Sequence, residues 1–191
     1  MSLNTNFTEL DTTTSVTTQT NGTPYSGPVA SLQWQDGHII CDNLNITANV
    51  PNVFMHSGSG EDALQALSGI NVMDGGTGCN FLVGGDGMDT FFVDDRNATS
   101  DIWSTMVNFH VGDAATVWGV TPQDFQLNWA DNEGAAGFTG LTLHATSAGK
   151  PTASLTLPGY TTTDLNNGRL TVSFGNDPVS GSNYMYVHGN R

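Results

Sequence analysis

Large apolar residues recur every nine positions, at Met55, Leu64, Met73, Leu82 and Phe91, and the residues between them are mostly small or polar. A nine-residue period is neither the 3.6 of a helix nor the two-residue alternation of a long strand. It marks an internal repeat of short units. Elsewhere the alternation is ordinary. Leu141 and Leu143, Leu155 and Leu157, then Leu170, Val172 and Phe174, followed by residues 184–188, predict longer half-buried strands. Upstream, apolar stretches at 31–34 and 38–41 are broken by Asp-Gly and Asn-rich turns and predict brief strands. Gly-containing stretches at 132–140 and 147–151 have the length of hairpin loops, and one short helix fits at 162–167. Residues 61–67 could propagate a helical turn, but the nine-residue register of Leu64 argues for a strand.

Two positions before each of the last four periodic residues stands a carboxylate or carboxamide: Asp62, Asn71, Asn80 and Asp89. Glycines precede them. The best copies read Gly75-Gly76-Thr77-Gly78-Cys79-Asn80-Phe81-Leu82 and Gly84-Gly85-Asp86-Gly87-Met88-Asp89-Thr90-Phe91; an earlier one opens Ser57-Gly58-Ser59-Gly60-Glu61-Asp62, and the copy at 66 keeps Gly69, Asn71 and Met73. This segment, about a fifth of the chain, resembles the repeats-in-toxin, or hemolysin-type calcium-binding, family, with its Gly-Gly-x-Gly-x-Asp-x-apolar-x pattern.

The resemblance implies a parallel β-roll in which two nonapeptides form one coil, so turns eighteen residues apart stack at the strand spacing of about 4.8 Å. Met55, Met73 and Phe91 would then form one inward ladder, and Leu64 would meet Leu82 in the other. It further implies Ca2+ between stacked turns. One site would take the Ser57 and Ser59 carbonyls with Asp62, against the Gly76 and Gly78 carbonyls with Asn80. Its neighbour would take the Ala66 and Ser68 carbonyls with Asn71, against the Gly85 and Gly87 carbonyls with Asp89. Calcium wants six to eight hard oxygens, so backbone carbonyls must supply most of each shell. One Asp and one Asn per pair suggests a dissociation constant on the order of 10⁻⁴ to 10⁻³ M, and Asp94 or Asp95 could complete a site beside the last turns. The alternative is a metal-free solenoid in which Asn71 and Asn80 close the turns by hydrogen bonds.

Composition sharpens this picture. The chain has 191 residues and a formal charge of −14, enough for one core and hostile to phosphate backbones, so nucleic acid is not an expected partner. No run of about twenty apolar residues predicts a transmembrane segment, and no signal peptide is evident at the N-terminus. Cys41 and Cys79 could form one bridge or none. Residues 1–28, rich in Thr, Asn, Ser and Gly, read as a linker or a docked edge strand. Residues 29–191 read as a single β-rich module: leading strands at 29–56, calcium repeats at 57–92 and a β cap at 93–191.

Motifs for catalysis are missing: there is no His-Glu-x-x-His, no Gly-x-Ser-x-Gly and no phosphate loop, and the five histidines are scattered singly. The expectation is therefore not an enzyme. It is an all-β, sandwich-like module with a short calcium β-roll, secreted, folding on Ca2+ outside the cell as an accessory region of a larger protein. Trp34, Trp103, Trp118 and Trp129 with Tyr160, Tyr184 and Tyr186 leave a second possibility, a carbohydrate-binding or adhesive module for a neutral glycan, provided two such rings share an exposed face.

Overall fold

The computed structural model describes residues 45–58 and 60–190, together with the strand backbone at 8–9, 33–35 and 38–40. Most of the leader, Cys41 and Ser59 therefore lie outside the described residues. Short strands dominate: β1 (Thr8–Glu9), β2 (Gln33–Gln35), β3 (His38–Ile40), β4 (Asn45–Ala48), β5 (Val53–His56), β6 (Ala63–Ala66), β7 (Val72–Asp74), β8 (Phe81–Val83), β9 (Thr90–Asp94), β10 (Ile102–Val107) and β11 (Ala114–Trp118). From β4 to β11 successive strands alternate between two sheets, and each pairs in parallel with the strand two places on. Backbone pairing also joins β1 to β5 and closes a β2–β3 hairpin.

The register follows the sequence period. Met55 pairs with Met73 and Met73 with Phe91 in one sheet; Ile46 pairs with Leu64 and Leu64 with Leu82 in the other. The five periodic residues are at most 2% exposed, so each short strand commits its central side chain to the interior. Residues 63–66 form a strand and not a helical turn.

Parallel stacking continues beyond residue 92. Leu82 pairs with Met106 and Phe91 with Ala115, steps of 24 residues (106 − 82 and 115 − 91) in place of 18. The six additional residues fall in the connection between β9 and β10, where a loop absorbs them without shifting either strand. Only after Trp118 does the chain change habit. β12 (Gln126–Ala135), β13 (Phe138–Thr146) and β14 (Ala153–Pro158) add to one sheet, β14 parallel to β10 and the other two antiparallel. After α1 (Thr162–Asn166) come β15 (Leu170–Asn176) and β16 (Asn183–Gly189); β16 adds antiparallel to β11 in the other sheet, and β15 antiparallel to β16 at its edge. Each sheet has seven strands, and the buried side chains from both form one core.

Residues 132–140, expected as a loop, are mostly strand. β12 and β13 run through them to a tight turn, and Asn132 and Gly134, at φ of 63° and 126°, absorb a register shift between Ala130 and Glu133. The helix lies where the sequence places it. Its N-terminus is closed by Asp164, whose Oδ2 accepts the Thr161 N–H at 2.8 Å, while Oδ1 accepts from the Arg169 guanidinium at 2.7 Å. Burial works to raise the Asp164 pKa, but the Thr161 bonds and the Arg169 charge outweigh it and hold the group below its ordinary 3.8. A depressed carboxyl stabilises the fold above the unfolded-state pKa, and that stabilisation is lost as pH falls through the folded value. Asp164→Asn is therefore expected to cost about 1 kcal/mol near pH 7, a figure held down by the solvent close by. Urea unfolding of both proteins should show the difference closing as pH falls below about 4. A gap that stays constant with pH would assign the effect to packing.

Candidate functional site

The turns between the parallel strands stack into two columns, one at each edge of the alternating sheets. The first contains residues 57–62 and 75–80, with the connection after Asp94 above them. The second contains 67–71, 84–89 and 108–113. Stacking is close enough to require glycine. A Cβ on Gly76, which sits at φ +63°, would collide with the Gly58 carbonyl oxygen, and one on Gly87 would collide with that of Gly69. The glycines at these two positions thus have a reason that is independent of any ion.

The second column is joined by a chain of side-chain to backbone hydrogen bonds. Asn71 Oδ1 accepts the Val53 N–H at 3.2 Å, Asp89 Oδ1 the Asn71 N–H at 2.8 Å, and Asp113 Oδ1 the Asp89 N–H at 2.7 Å. Each Asx side chain therefore satisfies a buried backbone donor 18 or 24 residues earlier in the chain. The Asn71 amide nitrogen has three acceptors: Asp89 Oδ1 at 2.7 Å, the Gly69 carbonyl at 3.1 Å and the Ser68 carbonyl at 3.3 Å. Asp89 Oδ2 accepts the Gly85 N–H at 2.7 Å, and Asp113 Oδ2 the His110 N–H at 2.9 Å. All three Asx residues are at most 1% exposed. Burial pushes the Asp89 carboxyl up, and it pushes Asp113 up to about 6, with the Asp89 charge adding to the shift.

The first column has the same shape with different chemistry. Asn80 Oδ1 accepts the Asp62 N–H at 3.2 Å, and Asp62, Asn80 and Ser57 are all buried. The Gly58 carbonyl accepts the Thr77 N–H at 3.0 Å and the Gly76 carbonyl the Asp94 N–H at 3.1 Å. In this column the lower Asx residue is the carboxylate, Asp62, and the upper one the carboxamide, Asn80; in the second column Asn71 lies below Asp89. Above it, Asp95 Oδ1 is buried with no hydrogen-bond partner among the described residues, and burial raises this carboxyl to about 6. Asp94 is committed elsewhere: Arg96 donates to both of its oxygens, at 2.8 and 2.6 Å. Cys79 lies half-buried in the turn at 75–80 with a free thiol.

Eleven of the twelve sequence-predicted ligands are among the described residues, and Ser59 lies outside them. Ser57, Asp62, Gly76, Gly78 and Asn80 share the first column and Ser68, Asn71, Gly85, Gly87 and Asp89 the second, but Ala66 is the buried last residue of β6 and not part of the turn. Among the described residues no group of three or more His, Cys, Asp or Glu side chains is arranged to hold a metal, so a cation here depends on backbone carbonyls. The second column does not fit one. Its carboxylate oxygens already have N–H donors, and the Asn71 amide nitrogen stands where Ser68, Gly69 and Asp89 converge. The first column differs: its lower rung is the carboxylate Asp62, its Asn80 amide nitrogen is buried with no acceptor among the described residues, and the Asp95 oxygen without a partner belongs to the connection above. Asp113 escapes the sequence pattern because it lies 24 residues from Asp89, although it stands two positions before Ala115, where the repeat places its Asx residue.

Two further clusters are visible only in the fold. His144 lies between Ser154 Oγ, 2.9 Å from Nδ1, and Glu133, 2.6 Å from Nε2. The residue types are those of a nucleophile, base and acid, but Ser154 is 5% exposed and sits in β14, paired on both sides. Its backbone neighbours are spent on strand pairing, leaving no donors for an oxyanion, so the set acts as a cross-strand hydrogen-bond ladder. Phe92, Trp118 and Tyr184 group on the opposite face of their sheet from Phe91. There the Arg96 guanidinium lies 5.1 Å over the Trp118 ring and Tyr184 meets it edge-on.

No helix among the described residues is long and apolar enough to cross a membrane. Comparison with known proteins finds no matching family model, curated protein or solved structure, so the two turn columns themselves carry the functional argument.

Proposed function

We propose that the protein is a calcium-stabilised module of a secreted protein, a short parallel β-roll that completes its folding on meeting Ca2+ outside the cell. The observation that supports this is the exchange of Asp for Asn between the two columns. In the second, the Asn71 amide donates to the carbonyls of its own turn. At the matching place in the first stands Asp62, and an ionised carboxylate donates no hydrogen bond. A carboxylate in the place of that amide, beside turn carbonyls, is the donor set that a hard cation takes. The ligands would be the Ser57, Ser59, Gly76 and Gly78 carbonyls with Asp62 and Asn80, and Asp95 above. Bound there, Ca2+ supplies charge neutralisation. The residues supply the turn geometry and a buried carboxylate.

A dissociation constant on the order of 10⁻⁴ M would leave such a site empty in a cell interior and largely filled at millimolar Ca2+ outside, and binding to the folded state alone stabilises by mass action, ~1.4 kcal/mol at ten times the dissociation constant. No catalytic role is proposed. A neutral-glycan site on the Phe92, Trp118 and Tyr184 face is less well supported, because Arg96 and Tyr184 already occupy the Trp118 surface.

The test is calorimetry of chelator-stripped protein with and without millimolar Ca2+, beside Asp62→Asn. The wild type is expected to melt several degrees higher with calcium. The variant gives the first column the donor that the second already has, so its melting in chelator should rise toward the calcium-bound value and its response should vanish. Identical melting of the wild type in the two buffers sinks the calcium reading.

A further inference from the structure

We infer that the second turn column is ion-free by design of its sequence, with the Asn71 amide nitrogen holding the place a cation would take. The protein then has one calcium-responsive edge where its repeats imply two. The inference concerns the neighbour of the site proposed above and stands whether or not that site binds calcium.

Three oxygens converge on Asn71 Nδ2: the carbonyls of Ser68 and Gly69, in the same turn, and Asp89 Oδ1 from the coil above. Carbonyls and a carboxylate at a shared point are what a hard cation collects. A carboxamide offers two N–H donors and a partial positive charge at the same place, with no ion to acquire. The group is 0% exposed, so it cannot swing out to admit one without opening the coil. Its own oxygen is also spent, on the Val53 N–H at 3.2 Å. The remaining Asp89 oxygen takes the Gly85 N–H, and Asp113 continues the chain upward to the Asp89 N–H. From Val53 to Asp113, one edge of the module is therefore tied together by hydrogen bonds that form in any ionic medium. The other edge carries a carboxylate, Asp62, at the rung where this one carries the Asn71 amide.

A division of labour follows. The Val53–Asn71–Asp89–Asp113 edge and the core behind it fold without calcium, and the ion governs the edge holding 57–62 and 75–80. Such a module would respond to calcium by ordering one side of a standing scaffold, a smaller and faster change than folding from a random chain.

The decisive variant is Asn71→Asp. It sets a carboxylate against Asp89 at the point where the amide stood 2.7 Å from Oδ1, and two buried carboxylates in contact do not both ionise without a cation. Isothermal titration with Ca2+ should count one more ion per chain in this variant than in the wild type. In chelator its melting temperature should fall by about 10 °C, with most of the loss recovered in millimolar Ca2+. Asn71→Ala is the control: destabilised in chelator and not recovered by calcium.

Hydrogen exchange of the wild type gives a second arm that needs no variant to fold. On chelation the amides of Asn71, Asp89 and Ala114 should keep their protection. The inference is overturned if those amides lose protection on chelation, if Asn71→Asp binds no additional ion, or if Asn71→Ala removes an ion the wild type holds. A wild type with no calcium response and an Asn71→Asp variant that gains one would uphold this inference and remove the proposed function instead.

Discussion

Asp89→Ala is expected to destabilise the protein by about 4 kcal/mol, measured by urea unfolding in the presence of chelator. The carboxylate accepts three hydrogen bonds: the Asn71 N–H, the Asn71 amide and the Gly85 N–H. Truncation strands the Asn71 and Gly85 N–H groups and leaves the Asn71 amide only the Ser68 and Gly69 carbonyls, and each buried donor left unmade costs roughly 1–3 kcal/mol. The total stays below their sum because the ionised carboxylate itself bears a desolvation cost, visible in its raised pKa, that truncation removes. Asp89→Asn should fall between. Its oxygen can still take the Asn71 donors, but its NH2 then faces the Gly85 N–H, so about half the loss is expected. The order Ala worse than Asn worse than wild type, unchanged by calcium, is what an ion-free column requires. A loss that appears only with calcium present would mean that Asp89 is a ligand.

That comparison shows where sequence reading stops. The nine-residue period specified the strands and their pairing because only one side chain in nine must be large and apolar, and Met55, Leu64, Met73, Leu82 and Phe91 stand out from their surroundings. The Asx positions were legible for the same reason. The sequence already sets Asp62 against Asn80 and Asn71 against Asp89; what it does not show is where the Asn71 amide nitrogen goes, because Asp and Asn have one shape and the Ser68, Gly69 and Asp89 oxygens meet it only in the folded turn.

The parallel strands that follow, β10 and β11, were hidden by two departures from the period. Six additional residues between β9 and β10 break the spacing, and the inward position opposite Phe91 is the small Ala115. Ala fits because Phe91 meets Phe109 at 5.9 Å, and Phe109 in turn meets Tyr160 at 6.0 Å. Aromatic bulk from the turn at 108–113 and from the end of β14 fills space that a large residue in β11 would otherwise occupy. A scan for large apolar residues at fixed spacing misses a layer whose volume comes from outside the repeat.

The same packing sets the second large effect. Phe91→Ala is expected to cost about 4 kcal/mol, at the level where a marginally stable domain ceases to fold at physiological temperature. Phe91 is 0% exposed, pairs across to Met73 and Ala115, and lies close beneath Gly84, where a Cβ would stand 3.0 Å from the ring tip. Strand neighbours in parallel register are fixed by backbone bonds, and the Gly84 backbone is held by Val107, so the walls of the cavity have little room to close. Phe92→Ala provides the contrast. One residue along, that side chain points to the outer face, partly exposed beside Trp118, and its removal should cost only about 1 kcal/mol. A several-fold difference in unfolding free energy between adjacent phenylalanines is the energetic signature of a strand with one buried face. Comparable losses at both positions would mean that the outer face is covered in solution, and the Phe92, Trp118 and Tyr184 cluster would then have to be read as a contact surface and not as solvent-facing packing.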